Sequence, residues 1–221
     1  MKKLPMALLG SGLALSTIAA ARMGGWAVVT VENPPDYLVV GKPADLTFIV
    51  RQHAVTLRSD LHPSIEAQSG ARLVQGMTWT LKREGAYGAR ITVPTTGEWR
   101  ITINSGWGRS RGILVPIPAI DATAPAPAKV PEPERGRRLF AALGCVTCHV
   151  HGGVDVEGEL KDFGPNLTDR KFAPEYLAQF LANPSIKPPT DGKSMPNLAL
   201  KKLEIASVVA FINSDRRLTS R

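Results

Sequence analysis

A short cysteine-containing segment near the middle of the chain constrains its fold more than any other feature. Residues 144–149 read Gly-Cys-Val-Thr-Cys-His, and Cys145 and Cys148 are the only two cysteines among the 221 residues. Cysteines three positions apart lie on the same side of a helical turn, and His149 follows them directly. In a C-x-x-C-H pattern the two thiols form thioether bonds to the vinyl groups of haem, and the histidine ligates the iron. The segment therefore predicts one covalently attached haem c.

Other chemistries also use closely spaced cysteines. A zinc site usually needs a second, distant pair of Cys or His ligands, and His151 lies too close to His149 to supply one. A thioredoxin-like redox pair follows a strand, whereas residues 138–143 have the composition of a helix. A disulfide between residues three apart would close a very small loop and add little stability. These alternatives stay open, but the sequence favours haem attachment.

Residues 1–21 have the composition of a secretory signal peptide. The chain starts Met-Lys-Lys, continues with small and apolar residues to position 20, and offers an A-x-A cleavage site at residues 19–21. An uncleaved membrane anchor is the alternative, although a proline and two glycines interrupt a run that is already short for a span. We therefore predict a periplasmic or extracytoplasmic protein, with membrane association through a complex or through an uncleaved signal as the alternative.

The charge balance is basic but modest. The net charge is +8, and loss of Lys2 and Lys3 with the signal peptide would lower it by two. Such a surplus fits attraction to an acidic protein surface or to anionic lipid. Without an array of alternating basic and aromatic residues, it gives no support for a nucleic-acid partner.

Residues 22–115 have the alternating pattern of β-strands. Runs of β-branched and aromatic residues, separated by turns rich in Gly, Pro and Asn, fall at 26–31, 37–40, 46–50, 89–93 and 99–103. Short strands joined by short turns are typical of a small antiparallel sandwich, and we predict an all-β immunoglobulin-like domain. All four tryptophans lie in this region, where we expect them to build the core.

The stretch from Gly85 to Ile103, with its Gly-Glu-Trp turn before the last strand, resembles the small exported β-domains of the YtkA/FixH-like group. Some members of that group are linked to copper handling or oxidase assembly. Copper would need imidazole or soft sulfur ligands, and the candidates are His53, His62 and Met77, together with Met23. The interpretation that we favour places the two histidines in loops and Met77 in the core or on the surface.

Residues 116–134, PIPAIDATAPAPAKVPEPE, contain six prolines and few large apolar side chains. Such a composition favours polyproline II structure and does not pack by itself. We predict a linker that separates the β-domain from a C-terminal domain at 135–221. It forms either a semi-stiff tether that holds the domains apart or a segment along the surface of one of them.

Three helices are predicted after the linker. The first starts with Glu132 and Pro133, the second begins at Pro174 and stops before Asn183-Pro184, and the third spans about residues 201–213. The order helix, C-x-x-C-H, helix, Met-Pro loop, helix resembles the class I cytochromes c. The resemblance implies an all-α cytochrome c fold.

The same resemblance implies particular contacts and ligands. In that family the first and last helices cross with a glycine and aromatic residues in contact, and the matching residues here are Gly136, Phe140 and Phe211. The axial methionine of the family lies in the loop before the last helix. Met195, the only methionine of this domain, matches it, and its alternative role is a core residue.

Pro165, in Gly-Pro-Asn-Leu at 164–167, matches the proline whose carbonyl oxygen accepts the proton of the ligating imidazole. An ordinary turn is the alternative. We expect His151 to be an exposed neighbour of His149. The predicted haem-binding residues, with His149 and Met195 as iron ligands and no catalytic residue, are Cys145, Cys148, His149, Pro165 and Met195.

With both axial positions filled by protein, the resemblance implies one-electron transfer and not bond chemistry on a bound molecule. We predict an exported monohaem cytochrome, itself not an enzyme, whose partners are redox proteins such as a membrane oxidase, reductase or dehydrogenase. Four lysines near the Met195 loop could steer an acidic partner, namely Lys187, Lys193, Lys201 and Lys202. The alternatives are a copper-handling or oxidase-assembly factor with an accessory haem, and a haem sensor.

Overall fold

The structure, a computed structural model, describes residues 25–156, 160, 163–187 and 194–214. The predicted signal peptide at 1–21, the copper candidate Met23 and the steering residue Lys193 therefore lie outside the described residues. Within the described part of the chain, no helix combines the length and the apolar composition needed to cross a membrane.

The N-terminal region is built from two β-sheets. Its strands are β1 (Ala27–Glu32), β2 (Leu38–Val39), β3 (Pro43–Gln52), β4 (Thr56–Leu57), β5 (Ser64–Ser69), β6 (Arg72–Gln75), β7 (Met77–Thr80), β8 (Ala86–Thr92), β9 (Gly97–Asn104), β10 (Arg111–Ile113) and β11 (Ile117–Ile120). One sheet has the order β1-β3-β8-β7, with β4 beside β3, and the other has the order β2-β11-β9-β5-β6, with β10 beside β9. Strands β2 and β11 pair in parallel, whereas β3 pairs antiparallel with both β1 and β8.

Side-chain alternation along the strands creates the core between these sheets. On β9, Trp99, Ile101 and Ile103 are fully buried, and the residues between them face outward. Phe48 of β3 stacks on Tyr87 of β8 with ring centroids 5.4 Å apart. The β-rich fold of this region is confirmed, and its immunoglobulin-like type stays a prediction.

The expectation that all four tryptophans build this core is wrong. Trp99 is fully buried, but Trp79 on β7 is 38% exposed. Trp107 is partly buried and packs against the core, and Trp26 packs in a separate small cluster at the boundary with the C-terminal region. The presence of all four tryptophans in this region therefore did not show which of them are buried in the core.

The predicted linker begins too early. Residues 117–120 form β11, which pairs with β9 and β2, and Ile117 and Ala119 are buried in the sandwich core. The alternation of small and apolar residues between the prolines thus supports a strand, and Pro118 occupies a place that prolines seldom take inside a sheet. Because the first helix already starts at Glu132, the connection between the two regions shortens to residues 121–131.

Three helices form the C-terminal region, as the sequence predicts: α1 (Glu132–Ala142), α2 (Pro174–Ala182) and α3 (Lys202–Ile212). Acidic residues and a proline in the first turn of α1 suit the positive end of the helix dipole. The Lys201 backbone N–H donates to Glu204 Oε2 at 2.7 Å and so satisfies one free donor at the start of α3. Two short 3₁₀ turns cover Cys145–Thr147 and Pro184–Ile186.

Helices α1 and α3 cross at Gly136. A Cβ atom placed there would lie 1.9 Å from Ser207 O and 2.6 Å from Phe211 Cβ. Phe140 and Phe211 meet edge to face beside the glycine, with ring centroids 5.7 Å apart. The three residues matched to the cytochrome crossing are therefore gathered at one point.

The expectation that His151 is exposed is wrong. Its side chain is buried, and its ring lies 4.2 Å from Phe211 and 6.0 Å from Phe140. The Gly153 N–H donates to His151 Nδ1 at 3.0 Å. The imidazole thus fills the space beside the helix crossing. The sequence did not indicate this burial, because His151 is a polar residue in a loop.

The two regions are in direct contact. Thr30 Oγ1 on β1 donates to Leu143 O at the end of α1, at 3.3 Å, and Arg138 donates to Asp36 O at 2.7 Å. Arg100 on β9 forms an ion pair with Asp155 at 3.2 Å. Because buried side chains and hydrogen bonds join the two regions, the linker does not hold them apart as a semi-stiff tether, which was one of the two predicted forms.

Candidate functional site

The C-x-x-C-H segment begins where α1 ends. Gly144 takes a left-handed backbone conformation, with φ at 84°, and turns the chain into the 3₁₀ turn at Cys145–Thr147. A Cβ at Gly144 would also lie 2.5 Å from Val28 Cγ1 of β1, so the turn is pressed against the sheet. Glycine is therefore required here both by the backbone and by the close approach.

Both cysteines are kept neutral by their surroundings. Cys145 is buried and Cys148 is half-buried, and each is a free thiol. Burial raises the pKa of Cys145 to about 12 and the pKa of Cys148 to about 11, since desolvation disfavours the thiolate. At neutral pH the pair consists of thiols and not of reactive thiolates.

His149 is held by the loop at 163–167. Its Nδ1 lies 2.9 Å from Pro165 O. A carbonyl oxygen can only accept, so Nδ1–H donates and Nε2 keeps its lone pair. Burial lowers the pKa of His149, although the Pro165 hydrogen bond opposes that shift, and the neutral imidazole is favoured. Gly164 N–H, which donates to Cys148 O at 2.8 Å, keeps the loop against the motif.

A cavity of about 430 Å³ lies beside this histidine. Cys145, His149, Pro165 and Met195 all contribute to its wall, although Met195 lies far from the others in sequence. Cys148 is not part of the described wall. The remaining apolar lining comes from the loop at 163–172, the helices α1, α2 and α3, and the turn after α2, namely Phe140, Phe163, Leu167, Phe172, Tyr176, Leu177, Phe180, Leu181, Pro184, Val208 and Ile212.

Two basic residues at the cavity were not predicted in this role. Arg170 and Lys187 both line it, and both are exposed. They can offer cationic hydrogen-bond donors to a carboxylate at the cavity mouth. Lys187 was predicted only as a steering residue, and Arg170 was not singled out, although its place directly after the loop carrying Pro165 is a signal for it. Lys201 and Lys202 are exposed at the start of α3.

The copper candidates His53, His62 and Met77 all lie on the surface of the β-domain. His53 and His62 are exposed, and the His53 ring packs 5.6 Å from Trp26. Met77 is 62% exposed on β7. Across residues 25–156, 160, 163–187 and 194–214, no group of three or more His, Cys, Asp or Glu side chains could hold a metal ion.

The cavity fits an iron porphyrin by its chemistry. It joins a thiol, an imidazole with an available lone pair and a thioether with an apolar wall, and it places two cations where carboxylates could reach them.

Residues 131–212 match the family model described as cytochrome c oxidase, cbb3-type, subunit III. This match supports a c-type cytochrome domain in the C-terminal region, which implies haem c and an electron-transfer component.

Solved structures resemble the chain weakly. The ZirS C-terminal domain has 14% identity and a TM-score of 0.30, covering 54% of this chain and 83% of that one. The superoxide reductase (neelaredoxin) from Ignicoccus hospitalis has 9% identity and a TM-score of 0.30, covering 46% and 86%. A CARDB domain from Pyrococcus furiosus has 15% identity and a TM-score of 0.28, covering 44% and 90%. No curated protein matches this chain. The YtkA/FixH-like resemblance of residues 22–115 stays a prediction.

Substitution of Gly164 by alanine is expected to disturb the His149 ring. The new Cβ would lie 2.5 Å from His149 Cε1, 2.6 Å from His149 Nδ1 and 3.0 Å from Cys148 O. We expect a loss of about 1–3 kcal/mol of unfolding free energy from overpacking and a changed haem absorption spectrum. Gly70→Ala is the control, because its Cβ would meet nothing within 4 Å and only its backbone is strained. An unchanged spectrum in Gly164→Ala would show that the ring is not held as described.

Proposed function

We propose that this protein is an exported monohaem c-type cytochrome that transfers single electrons between redox partners. The observation that carries the proposal is the cavity in whose wall Cys145, His149, Pro165 and Met195 converge. Cys145 and Cys148 would bind the haem covalently, and His149 and Met195 would be the iron ligands. When bound, haem supplies a reversible change between ferric and ferrous iron.

The protein side chains would set the potential of the ferric/ferrous couple and the access of other molecules to the iron. Pro165 O accepts from His149 Nδ1, which orients the ring and raises its basicity as a ligand. Met195 would supply a thioether ligand, which would favour the ferrous state and raise the potential. The apolar residues that α2 and α3 contribute to the wall would limit water around the haem. If His149 and Met195 both ligate the iron, dioxygen or a substrate would find no open position on it.

We further propose that the partner belongs to a membrane respiratory complex, as an oxidase, reductase or dehydrogenase. Support comes from the family match at 131–212, whose description names an oxidase subunit. The basic residues Lys187, Lys201 and Lys202, all exposed, would attract an acidic partner surface or anionic lipid. The signal-like composition of residues 1–21 supports a location outside the cytoplasm, periplasmic in a bacterium with two membranes.

Replacement of Met195 tests the electron-transfer proposal. We expect the unmodified holoprotein to titrate as a reversible one-electron couple and, when reduced at neutral pH, to bind no carbon monoxide. Met195→Ala is expected to bind carbon monoxide and to lower the midpoint potential by at least about 59 mV, which is a tenfold change for one electron. Met77→Ala is the matched control, since Met77 is an exposed methionine of the β-domain.

Two results would contradict the proposal. Carbon monoxide binding by the unmodified protein would favour a haem sensor with an open iron position. Tight, stoichiometric copper binding by the full chain, lost when His53 and His62 are replaced, would favour the copper-handling alternative.

A further inference from the structure

A buried arginine of the β-domain connects the two chain segments that flank the cavity residues. Arg51 on β3 is 8% exposed. Its Nη1 donates to Thr30 Oγ1 at 3.1 Å, and its Nη2 donates to Leu198 O at 3.4 Å. Thr30 Oγ1 in turn donates to Leu143 O at 3.3 Å. Leu143 precedes Cys145 by two residues and Leu198 follows Met195 by three, so a hydrogen-bonded chain runs from one segment to the other.

Burial of the Arg51 cation is unfavourable for stability, which suggests that the arginine serves a role other than stabilising the fold. Arg51 donates to a hydroxyl and a carbonyl oxygen, both neutral. Burial lowers the pKa of its guanidinium, and the charge of Glu32 opposes that shift only in part. Glu32 itself is paired with Arg83 on the surface. A buried cation is expensive unless it is well hydrogen-bonded, and a hydrophobic residue of similar volume would often be no less stable.

A second, independent observation concerns the segment that Arg51 holds. Leu198 is buried in a small cluster with Val28 and Ala54 of the β-domain, and Trp26 and Leu200 pack against it. Ala199 between the two leucines has φ at 58°, a left-handed conformation that disfavours residues with a Cβ. The Ala199 N–H donates to Asn197 Oδ1 at 2.8 Å. The segment is thus held in a strained form by contacts on both sides.

We propose that Arg51 is a positioning residue for Met195, and that the β-domain therefore supports the haem pocket from outside its wall. This inference rests on the proposed function, because Met195 needs a fixed position only if it ligates iron. Leu198 docks on β1 and β3, so the chain just after Met195 is anchored to the β-domain. Leu200 also packs against the helical core, which joins the anchor to α3.

Loss of the Arg51 hydrogen bonds would free the Leu198 carbonyl and loosen the Met195 loop, while His149 and the cysteines keep their own supports. An added ligand would then compete more easily with the thioether for the ferric iron. Because thioether ligation raises the potential, a weaker Met195 bond would also lower it.

The test uses the full-length holoprotein with Arg51→Met and Arg51→Lys. Imidazole titration of the ferric state, followed by the red charge-transfer absorption of thioether-ligated haem, measures how firmly Met195 is held. We expect imidazole affinity to rise about tenfold in Arg51→Met and the potential to fall by up to about 59 mV, with partial rescue in Arg51→Lys, which keeps the cation.

Arg58→Met is the matched control. Arg58 is a half-buried arginine of the same domain that stacks over Trp107 at 4.1 Å and binds Asp60. It should change stability without changing imidazole affinity or potential. If Arg51→Met does not fold, Thr30→Val, which removes both the acceptor of Arg51 and the donor to Leu143, provides the same measurement.

The outcomes separate the two proposals. If Arg51→Met, or Thr30→Val in its place, has the imidazole affinity and potential of the unmodified protein, the positioning role is wrong while Met195 ligation stands. If the unmodified protein lacks the charge-transfer absorption and Met195→Ala binds imidazole no more tightly, Met195 is not a ligand and both proposals fall.

Discussion

Replacing both Cys145 and Cys148 with serine is expected to abolish covalent haem completely. The two thiols are the only ones in the chain, so no other residue can form a thioether to a haem vinyl group. Burial raises the pKa of both thiols, to about 12 for Cys145 and about 11 for Cys148, which disfavours the thiolate form that a metal site would need. Haem staining after denaturing electrophoresis measures the result.

The single variants refine this expectation. Each should keep one thioether and therefore a stained band, with an absorption maximum shifted by the remaining free vinyl group. Thr147→Ser is the control in the same turn, because Thr147 is buried between the two cysteines and carries no sulfur. A stained band in the double variant, or none in the unmodified protein matured in a host that attaches haem c, would refute covalent attachment at this motif.

Replacing Gly136 with valine is expected to separate α1 from α3. Even the first added carbon would lie 1.9 Å from Ser207 O, which is backbone and cannot rotate away. Overpacking of this kind costs about 1–3 kcal/mol and sometimes more, and we expect at least about 3 kcal/mol here because the helices would have to move apart. Phe140, Phe211 and the buried His151 ring would lose their contacts together.

Helix propensity and close packing predict opposite effects for Gly136→Ala, so this variant distinguishes between them. In an exposed helix, replacing glycine with alanine stabilises by about 1 kcal/mol, so a destabilised Gly136→Ala can only reflect the crossing. Urea unfolding followed by circular dichroism gives the free energies. Arg135→Ala, one position earlier on α1, should change little. A Gly136→Ala protein as stable as its parent would contradict the close packing described for this crossing.

The helices could be predicted almost to the residue because local signals mark their ends. Pro133 and the acidic residues beside it start α1, Pro174 starts α2, and Asn183-Pro184 stops it. The prediction of the strands was less complete. Strands β6 and β7 are short and have largely exposed side chains, so the pattern of alternation is weak there, and β5 alternates but buries only Ile65 and Ala67.

The site was predictable only as a set of residues. A motif and a family resemblance named Cys145, His149, Pro165 and Met195, but spacing alone cannot show that they line one cavity. Only the position of Arg170 directly after the loop that carries Pro165 pointed to it, and the structure was needed to place it in the cavity wall. His151 was misplaced because its burial depends on a helix crossing between residues distant in sequence.

Arg51 shows the same limit more strongly. Its hydrogen-bond partners are 21 residues before it and 147 residues after it in the chain. Neither partner differs in type from dozens of other hydroxyls and carbonyls, so no pattern in the sequence marks the connection. Long-range hydrogen bonds of this kind become visible only once the fold is known.

The shared cluster of Trp26, Val28, Ala54 and Leu198 has a consequence for how such a chain can be rearranged. Grafting the helical half onto a different sandwich would leave Leu198 and Leu200 facing water, and the donor sandwich would need a new cover for Trp26. Recombination between unrelated chains at residues 121–131 would therefore give poorly stable products unless both surfaces changed in step. We therefore expect either half to be exchanged successfully only when the contact surface of the other half changes with it.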